Sequence, residues 1–278
     1  MTARGKVVVS GASTGIGEAT AVHLRGLGFE VLAGCRKDAD AERLRGFGLR
    51  PLKLDVTDAD SIAAARAELG TEPLAGLVNN AGVAIAAPLE FVPIERLRGQ
   101  LEVNLVGHVA VTQAFLPALR QARGRIVNVS SIGGRVALPL LGPYAASKFA
   151  LEAVSDSLRR ELRGQGVEVI VIEPGGVKTP IWQKGNQVTS EIREQAPAEA
   201  ERLYGPLASA LQGETEKIER ERGLAPRAVA EVIGAALIAE RPRTRYLVGS
   251  DARLRARLAK VLPDRAMDRL IARALGTG

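Results

Sequence analysis

The sequence of 278 residues predicts an α/β fold: a doubly wound parallel sheet of seven strands with helices on both faces. Two observations predict it. Short aliphatic runs alternate with helix-length amphipathic segments, and aromatic residues make up only 3% of the chain. A core without aromatics has to be built from Val, Leu, Ile and Ala, which fill strands that helices cover on both faces. No repeat or flexible linker divides the sequence, so we expect one domain over residues 1–278.

The aliphatic runs predict seven strands in chain order. These strands are residues 6–10, 30–34, 50–54, 74–79, 125–130, 167–173 and 245–248. Helical patterns fill most of the intervals, at residues 15–27, 58–69, 96–119, 144–163 and 226–239. We expect the third helix to be interrupted near Pro117, because a proline removes a backbone donor and clashes with the preceding turn.

Two segments fall outside this alternation. Residues 180–225 are polar, with isolated apolar side chains, and their length predicts a lid over the substrate, with a surface helical excursion as the alternative. Residues 250–278 form a basic extension that carries apolar residues at helical intervals. We favour packing of this extension on the domain, while peripheral contact with an anionic membrane is the alternative.

Composition excludes several classes of function. A net charge of +7, concentrated at the C-terminal end, does not require nucleic-acid binding. One cysteine, Cys35, permits no internal disulfide, and two separated histidines, His23 and His108, predict no metal site. We expect no signal peptide and no membrane span, and hence a cytoplasmic protein.

A glycine-rich turn follows the first predicted strand and precedes a helix. This arrangement is typical of a Rossmann fold, in which the turn lets the backbone approach a pyrophosphate at the helix N-terminus. The cofactor-binding residues predicted here are Gly11, Ser13, Thr14, Gly15, Ile16 and Gly17.

The end of the second strand bears on the choice of cofactor. An acid there binds the 2′-hydroxyl of NAD, whereas an arginine nearby accommodates the 2′-phosphate of NADP. This chain has Cys35 at that position, followed by Arg36 and Lys37. NADP(H) is therefore favoured, and NAD(H) is the alternative, because Asp38 or Asp40 follows closely.

A tyrosine and a lysine four residues apart open the fourth predicted helix. Positions i and i+4 share one helix face, and an ammonium group lowers the pKa of a nearby phenol. We therefore expect Lys148 to tune Tyr144 for acid–base work. Ser131, at the carboxyl end of the preceding strand, is expected in the same crevice.

Taken together, these motifs resemble the short-chain dehydrogenase/reductase family, with the match running from about residue 6 to residue 179. The matching motifs are the glycine turn, Asp55-Val56, Asn79-Asn80-Ala81-Gly82, Asn104, Ser131, Tyr144 with Lys148, and Pro174-Gly175-Gly176-Val177-Lys178-Thr179. Their order and spacing are more specific than any one of them. One departure is Cys35, which occupies the position of the NAD-selecting acid.

The resemblance implies residue roles. Tyr144 is the acid–base group, Lys148 binds the nicotinamide ribose, Ser131 bonds the substrate oxygen, and Asn104 holds a relay water. The further cofactor contacts that it implies are Asp55, Val56, Asn80, Ala81, Gly82, Pro174, Gly175, Val177 and Thr179.

The segment between Ser131 and Tyr144 is aliphatic, and Val83, Ala84 and Ile85 are apolar as well. Such a lining predicts a lipophilic substrate, unless these side chains serve subunit or lid packing. Similarity to the hydroxysteroid and retinol dehydrogenase branch also points to a lipophilic carbonyl or alcohol.

The sequence thus predicts an NADP(H)-dependent oxidoreductase. The alternatives are a 3-oxoacyl-thioester reductase, with an acidic carrier attracted by the basic extension, and a non-catalytic NADP-sensing protein. Family resemblance further implies a homodimer or homotetramer that pairs through the helices at 96–119 and 144–163.

Overall fold

The computed structural model describes residues 4–277 and confirms the predicted fold class. Seven parallel strands form one sheet in the order β3-β2-β1-β4-β5-β6-β7, which is the doubly wound arrangement. The strands are β1 Lys6–Val9, β2 Glu30–Cys35, β3 Arg50–Lys53, β4 Leu74–Asn79, β5 Arg125–Val129, β6 Glu168–Pro174 and β7 Arg245–Val248. Strand order reverses between β1 and β4, so a crevice opens at their carboxyl ends.

Eleven helices lie around this sheet within residues 4–277. They are α1 Gly15–Gly26, α2 Asp38–Gly46, α3 Ala59–Leu69, α4 Ile94–Leu101, α5 Gly107–Ala122, α6 Gly142–Glu161, α7 Ile181–Gln195, α8 Ala198–Lys217, α9 Pro226–Ile238, α10 Ser250–Val261 and α11 Asp264–Ala274. Helix α2 was not predicted, because only Leu44 of its nine residues is buried and it shows no apolar stripe.

The long helix predicted at residues 96–119 differs from the expectation. It continues through Pro117 to Ala122, so the predicted interruption there is wrong. Pro117 has no N–H to donate to the carbonyl of Gln113, four residues earlier. Both residues lie on the exposed side of α5, where water can satisfy that carbonyl. The irregularity instead comes earlier, in a π-helical turn at Glu102–Val106 between α4 and α5.

The aliphatic strands alternate between two helical layers. Val7 and Val9 of β1 belong to the core on the side of α1 and α9, whereas Val8 belongs to the core on the side of α3 and α5. Both cores are mainly aliphatic, with one phenylalanine each, Phe29 and Phe115, which agrees with the low aromatic content. The sheet therefore holds the carboxyl ends of β1, β2, β4, β5 and β6 along one rigid edge.

Residues 180–225 and 250–277 lie over that edge. The first segment forms α7 and α8, and the second forms α10 and α11. Asp251, in the first turn of α10, accepts a hydrogen bond of 2.9 Å from the backbone N–H of Gly176. The basic extension is thereby joined directly to the loop that follows β6.

Candidate active site

The glycine turn between β1 and α1 has no room for a larger side chain. A Cβ atom on Gly17 would lie 2.2 Å from the Gly11 carbonyl oxygen and 2.4 Å from Nδ2 of Asn80. Gly11 and Gly15 adopt φ values of 63° and 60°, which favour glycine. The N-cap residue Thr14 makes no side-chain cap, so the N–H groups of the first turn of α1 stay available to a phosphate.

The neighbouring strand end is held against this turn by a small polar network. The Ser10 hydroxyl accepts hydrogen bonds of 3.0 Å and 3.1 Å from the N–H groups of Asn80 and Ala81. Asn80 donates from Nδ2 to the carbonyls of Ser10 and Gly11, each over 3.1 Å. These contacts fix the backbone on both sides of the crevice.

At one end of the crevice, Arg36 lies 3.7 Å from the carboxylate of Asp55. Burial acts to raise the pKa of Asp55, but hydrogen bonds from Thr57 and the Arg36 charge outweigh it and lower that pKa. Asp55 is therefore ionised. Val56 beside it is buried against Gly107, so of this predicted pair only Asp55 presents a polar side chain.

A lysine from the insertion reaches the glycine turn. Lys184 of α7 donates a hydrogen bond of 2.7 Å to Oγ1 of Thr14. Burial lowers the pKa of Lys184; Asp40 opposes this, and the cations Arg36, Lys37 and Arg43 lower it further. Several positive charges thus converge around the start of α1 and the end of β2. Such a cluster suits an anionic ligand with several phosphate groups.

At the other end, Ser131 and Tyr144 meet. The Ser131 hydroxyl accepts a hydrogen bond of 3.0 Å from the N–H of Gly133, and it acts to lower the pKa of the Tyr144 phenol. A Cβ atom on Gly133 would lie 3.2 Å from the Tyr144 ring, and the ring of Trp182 lies 5.5 Å away between centroids. Tyr144 is thus enclosed by β5, α6 and α7.

The expected effect of Lys148 on the pKa of Tyr144 is wrong for this arrangement. Burial raises the pKa of the phenol, and the group that opposes this rise is Ser131. The Lys148 ammonium lies 5.9 Å from the centroid of the Tyr144 ring and donates over 2.9 Å to the Val129 carbonyl. Burial also lowers the pKa of Lys148 to about 8, with Glu152 opposing.

Asn104 is fully buried on the π-helical turn. Its amide oxygen accepts from the N–H of Val83 over 2.9 Å, and its amide nitrogen donates over 3.0 Å to both the Val83 carbonyl and the Ser147 hydroxyl. Ser147 in turn donates to the Tyr144 carbonyl over 2.7 Å. Asn104 therefore connects the loop after β4 to the first turn of α6.

A buried histidine lies beneath the same loop. His108 shares a hydrogen bond of 2.7 Å between Nε2 and the Ala81 carbonyl, while Nδ1 is without a partner among the described residues. Burial lowers the pKa of His108 to about 3, helped by the Lys148 charge and opposed by the Ala81 carbonyl. His108 is therefore a neutral imidazole that donates from Nε2.

A cavity of about 400 Å³ opens beside the two hydroxyls. Among the predicted site residues, its lining includes Ile16, Ser131, Tyr144, Pro174, Gly175, Val177 and Thr179. Lys148 and Asn104 are not part of the lining. The structure therefore brings the glycine turn, the β5 end and the loop after β6 to one space.

Most of the cavity wall is aliphatic, as expected, but some of the expected residues do not contribute. Val136, Leu138 and Leu141 line it. The prediction for Val83, Ala84 and Ile85 is wrong: none of them lines the cavity, and Ile85 packs instead in a cluster with Ile192 of α7.

Sequence reasoning missed the contribution of the C-terminal helices and of Lys184. The cavity wall from α10 and α11 consists of Leu254, Arg255, Leu258, Met267, Leu270, Ile271 and Ala274, with Leu275 following. The helical spacing of apolar residues in the basic extension indicated an amphipathic helix, but it did not indicate the surface on which that helix packs. No sequence pattern indicated the role of Lys184, because its partner Thr14 lies 170 residues away in the chain.

Within residues 4–277 there is no group of three or more His, Cys, Asp or Glu side chains placed to hold a metal ion. None of the helices in that same range is long and apolar enough to cross a bilayer.

The comparisons with known proteins agree with this geometry. A family model described as short chain dehydrogenase matches residues 5–189. The chain is 37% identical to an NADPH-dependent 3-dehydrocapnine reductase of Ornithobacterium rhinotracheale, covering 95% of this chain and 94% of that protein. It is 40% identical to human retinol dehydrogenase 16, covering 89% and 81% respectively.

Among solved structures, the chain resembles a short-chain dehydrogenase of Burkholderia cenocepacia in complex with NADP. The TM-score is 0.74 at 28% identity, and 98% of each chain is covered.

Proposed function

The chain belongs to the short-chain dehydrogenase/reductase family and is an NAD(P)-dependent oxidoreductase; from this premise we propose that it uses NADP(H) to interconvert a carbonyl and an alcohol on a lipophilic substrate. The observation that carries the proposal is the cavity of about 400 Å³, in which the hydroxyls of Ser131 and Tyr144 face a mostly aliphatic wall. A site of this kind binds an apolar molecule and orients one oxygen by hydrogen bonds.

The residues fit a dinucleotide. The turn at 11–17 would hold the pyrophosphate, Asp55 and Asn80 the adenosine side, and the loop at 174–179 the nicotinamide side. When bound, the nicotinamide supplies or accepts the hydride. The cations Arg36 and Lys184 favour NADP(H). The position at the end of β2 that would hold an NAD-selecting acid is occupied by Cys35, which favours NADP(H) as well. The relative with an NADPH-dependent activity and the NADP complex support the same choice.

Tyr144 is the proton donor in this proposal. Because burial raises the pKa of its phenol, Tyr144 is protonated at neutral pH, the form required to donate to a carbonyl oxygen. Ser131 bonds the same oxygen and polarises it. Lys148, whose ammonium lies 5.9 Å from the centroid of the Tyr144 ring, would bind the nicotinamide ribose beside it.

Asn104 and Ser147 position the donor. Their hydrogen bonds fix the first turn of α6 relative to the loop after β4, so the Tyr144 ring has a defined place opposite the end of β5. Helices α7 and α8 close the cavity as a lid through Trp182 and Leu211. The exposed apolar side chains Val106 and Phe149 support pairing into a dimer or tetramer.

The proposal is tested with Tyr144→Phe, which removes only the hydroxyl. We expect NADPH binding, followed by cofactor fluorescence, to stay within about twofold, while turnover of lipophilic ketones falls about 10³-fold, within the range of general acid catalysis. The control is Tyr246→Phe, because Tyr246 lies on β7 and its hydroxyl accepts a hydrogen bond from the N–H of Arg243. Ordinary turnover by Tyr144→Phe would exclude its role as the acid.

A substrate panel separates the alternatives. Steroid, retinoid and long-chain ketones should be reduced at the expense of NADPH in preference to short polar sugars. Preference for a 3-oxoacyl thioester would instead indicate a thioester reductase. Tight NADPH binding without turnover of any carbonyl in the panel would indicate a cofactor-sensing protein.

A further inference from the structure

Two charged residues, Glu214 and Arg255, line the mostly aliphatic cavity, and they differ in how they are paired. Glu214 of α8 lies 3.0 Å from Lys217 and 2.8 Å from Arg222. The ion pair with Lys217 lowers the pKa of Glu214, and Arg222 lowers it further against the effect of burial. The negative charge of Glu214 is thus already compensated within the protein.

Arg255 of α10 is different. It is half-buried in the cavity wall next to Leu254 and near Leu258, yet it makes no ion pair and no side-chain hydrogen bond with any residue in 4–277. The guanidinium carries five donors in a fixed plane and remains charged at any physiological pH. A half-buried cation without an acceptor among the described residues keeps its donors free for a ligand in the cavity.

The other half-buried arginines of the described chain all have acceptors. Arg135 lies 2.7 Å from the carboxylate of Glu173, and Arg245 lies 3.0 Å from that of Glu152. The remaining half-buried arginines also bind carboxylates or carbonyls; they are Arg50, Arg66, Arg125 and Arg159. Each of these half-buried arginines thus has an acceptor within the protein, whereas Arg255 has none among residues 4–277.

We propose that Arg255 binds an anionic group of the substrate, so that the substrate is an amphipathic carbonyl compound bearing a carboxylate or a similar oxyanion. This inference rests on the proposed function, because the reacting oxygen is assigned to Tyr144 and Ser131. A planar guanidinium binds a carboxylate through two parallel hydrogen bonds, and its apolar surroundings strengthen them. The aliphatic wall then holds the apolar body of the molecule.

The test compares a long-chain oxo fatty acid with its methyl ester, which differ by one charge and share the carbonyl. We expect wild-type kcat/KM with NADPH to favour the acid by about 10- to 100-fold, the range of a charge-assisted bond. Arg255→Gln should reduce this preference to about one by raising KM for the acid. Arg255→Lys should retain part of it.

The matched control is Arg253→Gln, which removes the same charge from an exposed position of α10 outside the cavity wall. It should keep the preference for the acid, and both variants should keep the NADPH affinity and melting temperature of the wild type. An equal acid-to-ester ratio in wild type and Arg255→Gln would overturn the proposal.

Failure of the proposed function gives a different result. If neither compound is reduced although NADPH binds, the assigned reaction is wrong. Calorimetric titration of the acid into the NADPH complex then still tests Arg255. Weaker binding of the acid to Arg255→Gln, but not to Arg253→Gln, would support the anion site. Equal binding of the acid to Arg255→Gln and wild type would overturn it.

Discussion

Two sides of the crevice are built from different kinds of contact. Around the glycine turn, backbone groups and the side chains of Ser10 and Asn80 hydrogen-bond one another within about 3 Å, and a single added carbon would collide at Gly17. Across the crevice, helices α7, α8, α10 and α11 present mainly aliphatic side chains to a cavity. The first side requires particular residues, whereas the second requires mainly apolar volume.

This difference follows from what each side binds. A pyrophosphate is recognised by N–H groups at fixed positions, so the backbone itself has to be placed accurately. An apolar body is recognised by burial, which is proportional to area and has no direction. We therefore expect substitutions on the dinucleotide side to have large effects, and those on the substrate side to have graded ones.

The largest effect is expected for Gly17→Ala. Its Cβ would meet the Gly11 carbonyl at 2.2 Å, so the turn has to shift. Overpacking costs about 1–3 kcal/mol, which corresponds to a loss of NADPH affinity of up to about 100-fold. Gly26→Ala on the same helix has nothing within 4 Å and should bind normally. Fluorescence titration measures both, and equal affinities would contradict the comparison.

A smaller effect is expected for the cations near the end of β2. Arg36→Gln and Lys184→Met should each weaken NADPH binding by about 10-fold and NADH binding by less than twofold, because only NADPH carries the additional phosphate. Arg45→Gln is the control, since Arg45 lies on α2 in an exposed pair with Glu42. Equal losses for both cofactors would assign these cations to the pyrophosphate.

Substitution in the aliphatic wall should be milder. Ile271→Ser in α11 removes apolar surface from the cavity and should raise KM for a lipophilic ketone by about 3- to 10-fold, at about 0.8 kcal/mol for each lost methylene. NADPH affinity should not change. Asp268→Ser, on the exposed side of α11, provides the comparison. A fall in NADPH affinity with Ile271→Ser would show that the two sides are not separable.

The smallest effect, when taken over one pH unit, is on the stability of the fold and comes from His108 on the dinucleotide side. The folded pKa of His108 is depressed from 6.5 to about 3, so the unfolded chain takes up a proton below pH 6.5 that the folded chain does not. Stability should therefore fall as pH drops from 6.5 towards 3, by about 1 kcal/mol per unit from this group. His108→Gln should lose less between pH 6 and 5 in urea unfolding. Identical slopes would exclude His108 as a source.

Local patterns carried much of the prediction. The glycine turn, the strand alternation and the four-residue spacing of Tyr144 and Lys148 depend on neighbours in sequence, and each was found where expected. The prediction of an interruption at Pro117 was wrong because the exposure of its helix face depends on packing. The expected lowering of the Tyr144 pKa was wrong because burial of the phenol also depends on packing.

The sequence by itself determined the sheet, the turn and the residues that meet at the strand ends, since backbone geometry and helical periodicity are local properties. Only the tertiary structure decided that α11 closes the cavity, that Lys184 reaches Thr14, and that Arg255 has no acceptor among residues 4–277 in a mostly aliphatic wall. These features join segments that are distant in the chain. Their relative placement results from burying apolar surface, and burial does not specify which distant side chains will meet.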